Sequence, residues 1–212
     1  SAPYAEDKKL VDKYEVIPTG TDPNKFKPIK EKGIPELCYT SNKGNSNKLM
    51  SELFFLGKHL RGKELLKHVE DFQKKYYQGE MDADLKLKIG SVNWRSNKIV
   101  TFAGKNIVGK GIHCVFPAIA KCRDIEFVII GEGIFREGLE LLVRSIAYGD
   151  FDLFREIYNI GWGFDKKSNS ELVHLKKYCD KKNFLDLHRQ ARENKFINRV
   201  HFFGYLNHDN LS

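Results

Sequence analysis

From Lys98 onward, short apolar runs alternate with segments whose apolar residues recur at helical spacing. Each run is rich in β-branched and aromatic residues and stops at a glycine; the runs are 99–103 before Gly104, 125–130 before Gly131, and 200–203 before Gly204. Continuous apolar strands separated by helices are typical of a parallel sheet covered on both faces. We therefore predict an α/β fold. Ligands of such sheets bind at the carboxyl ends of the strands, so the three glycine loops form the candidate site.

The segments between and before these strands predict helices and two insertions. Apolar residues recur at helical spacing in 65–76, 112–119 and 139–146, and a mostly helical stretch with breaks at Gly149 and 161–163 runs to about residue 198. Residues 29–50 are rich in Lys, Asn, Ser and Gly, which predicts an exposed loop, and residues 16–22 predict a short strand that enters a turn.

The chain carries an excess of positive charge, with 36 Lys and Arg against 28 Asp and Glu in 212 residues. This charge suits nucleic acid, an anionic membrane surface or a phosphorylated ligand. Much of the excess lies in 165–200, where a solvated helix face is the usual explanation, and no zinc-finger spacing or RNA-binding aromatic motif accompanies it. We expect no nucleic-acid partner, whereas peripheral association with a membrane stays open.

The cysteines and the apolar runs indicate the compartment. The four cysteines are widely spaced, without a CxxC pair or a Cys/His group at zinc spacing. No apolar run approaches the roughly 18 residues of a membrane-spanning helix, and no secretory signal is visible. The sequence therefore predicts reduced thiols, no metal site and a cytoplasmic location.

The loop Gly104–Gly111, with the sequence GKNIVGKG, is the strongest candidate for ligand binding. It follows a predicted strand and precedes a predicted helix, whose free N–H groups and dipole favour phosphate. Lys105 and Lys110 add two positive charges, unless they are ordinary surface lysines. His113 either faces the phosphates or is a satisfied helix histidine.

Two interpretations of the chain as a whole stay open beside the family resemblance described next. Residues 104–110 fit the first seven positions of the P-loop pattern G-x-x-x-x-G-K-[ST], which predicts a nucleotide-binding or NTPase domain. However, Gly111 stands where a hydroxyl would ligate Mg²⁺, and Ile130 leads into Gly131 without an acidic residue. The second of these is a non-catalytic interaction module that binds an acidic partner through residues 165–200.

Four motifs, in order, resemble those of the retaining, nucleotide-sugar-dependent glycosyltransferases of family 4, which have two Rossmann-like domains in the GT-B architecture. Residues 104–111 match the loop G-R/K-x-x-x-x-K-G, and residues 131–136 resemble G-x-G-P-x-R/E. Residues 202–211 match F-x-G-x-x-x-H-x-x-L. Residues 16–22 with Phe26 resemble V-I-P-N-G-V-D followed by Phe. The resemblance covers residues 14–28 and 97–212.

This resemblance implies an overall architecture. The fold would be a Rossmann-like parallel sheet with helices on both faces, part of the C-terminal domain of a GT-B fold, with helical insertions. Residues 1–28 would lead into that domain, 29–96 would be a loop and helix insertion, and 97–212 would be the nucleotide-sugar-binding domain, incomplete at its C-terminus, with a helical insertion at 147–196.

The resemblance also implies a reaction and a set of site residues. Gly104, Lys105 and Lys110 would bind the donor diphosphate, Gly204, Tyr205 and Leu206 would border the nucleobase, and Gly131 and Gly133 would shape the cleft. A hexose would pass with retention from a UDP, GDP or ADP sugar to a hydroxyl of a carbohydrate or lipid-linked acceptor. No cofactor or metal is implied, because the two lysines stabilise the departing diphosphate.

Two parts of the family pattern have no counterpart in the 212 residues. These are the glutamate pair that follows the last matched motif and the N-terminal domain that holds the acceptor. The catalytic residues therefore remain unknown, and we expect the chain to be a fragment that is inactive alone.

Overall fold

The computed structural model describes residues 46–76, 85–95, 98–167 and 170–206. All of them belong to one compact unit. The predicted strand at 16–22 and the matched residues 207–211 lie outside the described residues.

Helices precede, connect and flank three strands. The helices are α1 (Ser46–Gly57), α2 (Gly62–Tyr76), α3 (Leu85–Ser91), α4 (Phe116–Lys121), α5 (Arg136–Tyr148), α6 (Phe151–Ile160) and α7 (Lys181–Glu193), and the strands are β1 (Lys98–Ala103), β2 (Ile125–Ile130) and β3 (Val200–Gly204). Short 3₁₀ turns occupy Val108–Lys110, Ile112–Cys114, Trp162–Asp165, Val173–Cys179 and Phe196–Arg199.

The three strands form a parallel sheet in the order β1-β2-β3. Residues Lys98 to Ala103 pair in unbroken register with Ile125 to Ile130, whereas the pairing of β2 with β3 is irregular between Ile129 and Ile130. The predicted α/β fold and its three strands are confirmed.

The main core lies on one face of the sheet. Both crossover connections run in the same direction across the strands, and right-handed crossovers of that kind place their helices on the same side. The side chains of Phe127, Ile129 and Phe202 join this core, where Phe116 of α4 makes edge-to-face contacts with Phe127 and Phe202. Each such buried ring contributes about 1.5–3 kcal/mol through its removal from water.

A smaller cluster covers the opposite face. Its members are Leu85, Ile89, Val92, Val128, Phe203 and Leu206, so that α3 is the helix on this side among the described residues. Beneath it, His201 of β3 and Glu126 of β2 are buried and hydrogen-bonded, with 2.7 Å between Nε2 and Oε2. The structure is compatible with a Rossmann-like fragment, although its two faces are covered very unequally.

A buried arginine ties the crossover after β1 to β3. Arg199, just before β3, donates to the carbonyl oxygens of Ile119 and Cys122 at the end of α4 and of Ile125 at the start of β2. It also donates to Asn194, which follows α7. One side chain thus donates to four carbonyl groups at or near the ends of helices and a strand.

Two local predictions were wrong. The helix expected over 112–119 begins only at Phe116, since Ile112–Cys114 form a 3₁₀ turn after Gly111, whose φ is a left-handed 69°. Pro117 lies in the first turn of α4, where a missing N–H costs nothing. Residues 46–50, expected in an exposed loop, are the first residues of α1.

The burial of β1 also differs from expectation. Val100, Thr101 and Ala103 are exposed, whereas β2 is covered along nearly its whole length. The difference follows from strand position, since β2 lies between two strands and β1 pairs with one strand among the described residues.

Among the residues that the structure describes, no helix is long and apolar enough to cross a bilayer.

Candidate functional site

Three predicted site glycines meet at the carboxyl edge of the sheet. The N–H of Gly104 donates to the carbonyl of Ile130 at 2.9 Å, and the N–H of Gly131 donates to the carbonyl of Gly204 at 2.6 Å. The ends of β1, β2 and β3 are therefore side by side, and the loops that leave them open onto one edge, as expected for a parallel sheet.

Gly131 and Gly133 allow the loop after β2 to touch the loop after β1. A Cβ atom would lie 2.0 Å from the carbonyl oxygen of Gly104 at Gly131, and 2.4 Å from that of Asn106 at Gly133. Both glycines have strongly positive φ angles, 125° and 159°. No other residue type fits this backbone-to-backbone approach without movement.

Asn106 joins the two loops. Its side-chain Nδ2 donates to the carbonyl of Gly131 at 2.8 Å, and its backbone N–H donates to the carbonyl of Glu132 at 2.9 Å. Its own carbonyl accepts from the N–H of Phe135. The side chain is fully buried, and Oδ1 has no hydrogen-bond partner among the described residues. No sequence motif singles out this asparagine.

The loop Gly104–Gly111 leads into 3₁₀ turns rather than into a helix. Val108 is buried and holds the loop to the main core, while Lys105 and Lys110 are exposed near its two ends. Neither lysine makes an ion pair with any residue that the structure describes. The predicted diphosphate-binding lysines are thus accessible, and their positive charge is not neutralised by a described acid.

Two backbone N–H groups of this loop are not free. Asp165 accepts from the N–H of Val108 through Oδ1 at 3.0 Å and from the N–H of Gly109 through Oδ2 at 3.4 Å. The sequence pattern placed Asp165 in the charged segment 165–200 and gave it no role of its own. Its partners lie more than fifty positions away in the chain, so no local signal marks the contact.

Trp162 and Lys167 belong to the same segment as Asp165. A Cβ atom at Gly109 would lie 3.5 Å from the Trp162 ring, so the ring packs directly on the loop backbone. The Nζ of Lys167 lies 4.8 Å from the centroid of that ring, a cation–π distance. The segment 162–167 therefore forms one wall of the candidate site.

His113 is a buried, neutral histidine beside this wall. Burial, together with the nearby His174, lowers its pKa to about 4, against a smaller opposing effect of Asp165. Its ring lies 6.0 Å from that of Phe135 and 6.5 Å from that of His174, and its Nδ1 has no hydrogen-bond partner in the described part of the chain. A histidine that is neutral at pH 7 adds no positive charge for phosphates.

The residues predicted to border a nucleobase differ in exposure. Gly204 ends β3 with a left-handed φ of 73°, and Tyr205 after it is 42% exposed. The side chain of Leu206 is buried with α3 in the smaller cluster. Any contact of Leu206 with a ligand at this edge would therefore be through its backbone.

A cluster of buried charges lies at the start of α5, directly after the Gly131–Gly133 loop. Arg136 Nε and Glu140 Oε1 form an ion pair at 3.4 Å, and Glu137 is hydrogen-bonded to Gln73 of α2. Burial raises the pKa of Glu137 to about 7, although Arg136 and the Gln73 hydrogen bond oppose this effect. The carboxyl group of Glu137 is therefore partly protonated near neutral pH.

Within the described ranges, no three His, Cys, Asp or Glu side chains are grouped so that they would hold a metal ion. The chain matches no known protein-family model, no curated protein and no solved structure. The site is therefore defined by its geometry: a glycine-lined edge of a parallel sheet with two exposed lysines and a carboxylate held by backbone N–H groups.

Proposed function

We propose that the protein binds the diphosphate of a nucleotide sugar at the loop Gly104–Gly111 and serves as the donor-binding part of a retaining glycosyltransferase. One observation carries this proposal. The exposed and unneutralised Lys105 and Lys110 flank a glycine loop at the carboxyl edge of a parallel sheet, which is where such sheets bind nucleotides. The order of the four sequence motifs supports the same class.

The chemistry that suits this loop is stabilisation of a leaving group. When the bond between the sugar C1 and the diphosphate oxygen breaks, negative charge grows on the diphosphate. Lysines fixed beside it would stabilise that charge more strongly in the transition state than in the ground state. The acceptor hydroxyl would attack C1 on the face that the diphosphate leaves, so that the configuration is retained.

The ligands of the proposed site are UDP, GDP or ADP sugars and a hydroxyl acceptor. A nucleobase near Gly204 and Tyr205 would lie at the end of β3, with the end of β2 between it and the diphosphate loop that follows β1. The carbonyl of Gly204 is already used by Gly131, so the N–H and carbonyl groups of Tyr205 and Leu206 are the more accessible partners. The two sets of predicted ligand contacts would then lie at the same edge of the sheet, at the ends of β1 and β3 on either side of β2.

An NTPase of the P-loop type fits the site less well. In that class the glycine loop opens a helix and its hydroxyl residue holds Mg²⁺. Here the loop enters 3₁₀ turns, and Gly111 has no side chain to ligate a metal.

Titration calorimetry separates the two classes. We expect the full 212-residue chain to bind at least one of UDP, GDP and ADP with the same affinity in excess Mg²⁺ and in EDTA. Binding that requires Mg²⁺, together with hydrolysis of a nucleoside triphosphate, would favour the P-loop class. Absence of binding to all three diphosphates would contradict the proposal.

A further inference from the structure

The loop that we assign to the diphosphate already holds an anion from its own chain. The carboxylate of Asp165 accepts hydrogen bonds from two successive backbone N–H groups, those of Val108 at 3.0 Å and Gly109 at 3.4 Å. Successive N–H groups directed at one anion are the arrangement with which turns bind phosphate oxygens. The carboxylate thus occupies donors that a phosphate would use.

The position of Asp165 is fixed by the residues that precede it. Phe164 is buried, and its ring lies 4.9 Å from that of Phe135 in the main core. The ring of Trp162 packs on Gly109, and the backbone N–H of Trp162 donates to the carbonyl of Ser170 at 2.8 Å. The backbone at 162–165 is therefore anchored by contacts with the main core and with the loop, and these contacts place the carboxylate against the loop.

Releasing the carboxylate would break two hydrogen bonds, those with the N–H groups of Val108 and Gly109. The backbone anchors of the segment do not involve the Asp165 carboxylate, and one of its two hydrogen bonds is long at 3.4 Å. A diphosphate carries more negative charge and more acceptor oxygens than a carboxylate, and it would also attract Lys105 and Lys110, which Asp165 leaves unpaired. A diphosphate therefore has the charge to displace the carboxylate.

We propose that Asp165 is an internal competitor of the donor diphosphate. Its carboxylate binds the backbone N–H groups of Val108 and Gly109 while the site is empty, and it rotates away when the diphosphate binds. This inference rests on the proposed function. It makes the insertion 147–196 part of the donor site, because its residue Asp165 sets the affinity. It also explains why an acidic residue lies within a lysine-rich site for an anion.

Removal of the competitor tests the inference. Calorimetric titrations with UDP, GDP, ADP and inorganic pyrophosphate would compare the wild type with Asp165→Asn and Asp165→Ala. The matched control is Asp124→Asn, which removes the same charge from an exposed position before β2, at the opposite edge of the sheet. The Asn variant keeps the size of the side chain and one acceptor oxygen, and a thermal melt verifies that each variant folds.

We expect both Asp165 variants to bind roughly tenfold more tightly, the scale of one lost charge-assisted competitor, and Asp124→Asn to bind as the wild type does. In the wild type, pyrophosphate should also shift the amide NMR signals of Val108 and Gly109. If the Asp165 variants bind as the wild type does, or more weakly, Asp165 supports the loop and the inference fails while the proposed function stands. If no protein of the series binds UDP, GDP, ADP or pyrophosphate, the proposed function itself fails.

Discussion

The carbonyl oxygen of Gly104 occupies the place where a side chain at Gly131 would begin, with only 2.0 Å between that oxygen and a Cβ atom. The ends of β1 and β2 thus pack backbone against backbone, because Gly131 has no side chain. The same contact brings the loop with Lys105 next to the loop after β2. The edge of the sheet depends on this pair of glycines.

Gly131→Ala should therefore destabilise the fold and disturb the site. The φ of 125° alone costs on the order of 1–3 kcal/mol for a residue with a side chain, and the clash with Gly104 adds to it. Urea unfolding would measure the loss. The control is Gly90→Ala in α3, where a Cβ meets nothing within 4 Å and alanine favours the helix; equal effects of the two substitutions would contradict the account.

Arg199→Met should cost about 3 kcal/mol or more of unfolding free energy. It removes the guanidinium hydrogen bonds of four carbonyl groups, in a site where water has little access. The comparison is Arg189→Met on α7, whose exposed guanidinium only pairs with Asp186 and Glu193 and should leave the melting temperature unchanged. A small effect at Arg199 would mean that water replaces its hydrogen bonds.

Glu137→Gln should stabilise the protein at alkaline pH and not at acidic pH. Burial raises the pKa of Glu137 from 4.5 to about 7 in the folded state, so wild-type stability is lost as the pH rises from 4.5 through 7. Glutamine keeps an oxygen for Gln73 and does not ionise. Chemical unfolding at pH 5 and pH 8 should show a gain of up to about 3 kcal/mol for the variant at pH 8 only. A gain that is equal at both pH values would refute this assignment.

His113 should produce the opposite pH dependence. Its pKa falls from 6.5 to about 4 on folding, so the stability that depends on the neutral ring is present above pH 6.5 and is lost as the pH falls towards 4. His113→Leu should remove this loss in unfolding experiments between pH 7 and pH 4. Because Glu137 acts in the other direction over much of this range, the comparison is best made in the Glu137→Gln background. An unchanged slope would show that another group titrates.

The sheet was predictable because its signals are local. The continuous apolar run of β2 and the glycine after each strand identify the strands and the edge without any knowledge of distant contacts. The site was only partly predictable. Lys105 and Lys110 follow from the loop pattern, whereas Asp165 reaches the loop from a distant segment and Asn106 acts through backbone groups that no sequence spacing reveals. The 3₁₀ turns after Gly111 were missed because an apolar stripe does not distinguish them from a helix.

Titration of whichever of UDP, GDP and ADP binds the wild type against paired lysine variants is the most direct test of the proposed site. Lys105→Ala/Lys110→Ala removes the two loop charges, and Lys176→Ala/Lys177→Ala removes two exposed lysines of equal charge from a 3₁₀ turn elsewhere. The account predicts at least about 100-fold weaker binding for the loop variant and binding within about twofold of wild type for the control. Equal affinity of wild type and loop variant, or an equal loss in both variants, would contradict it.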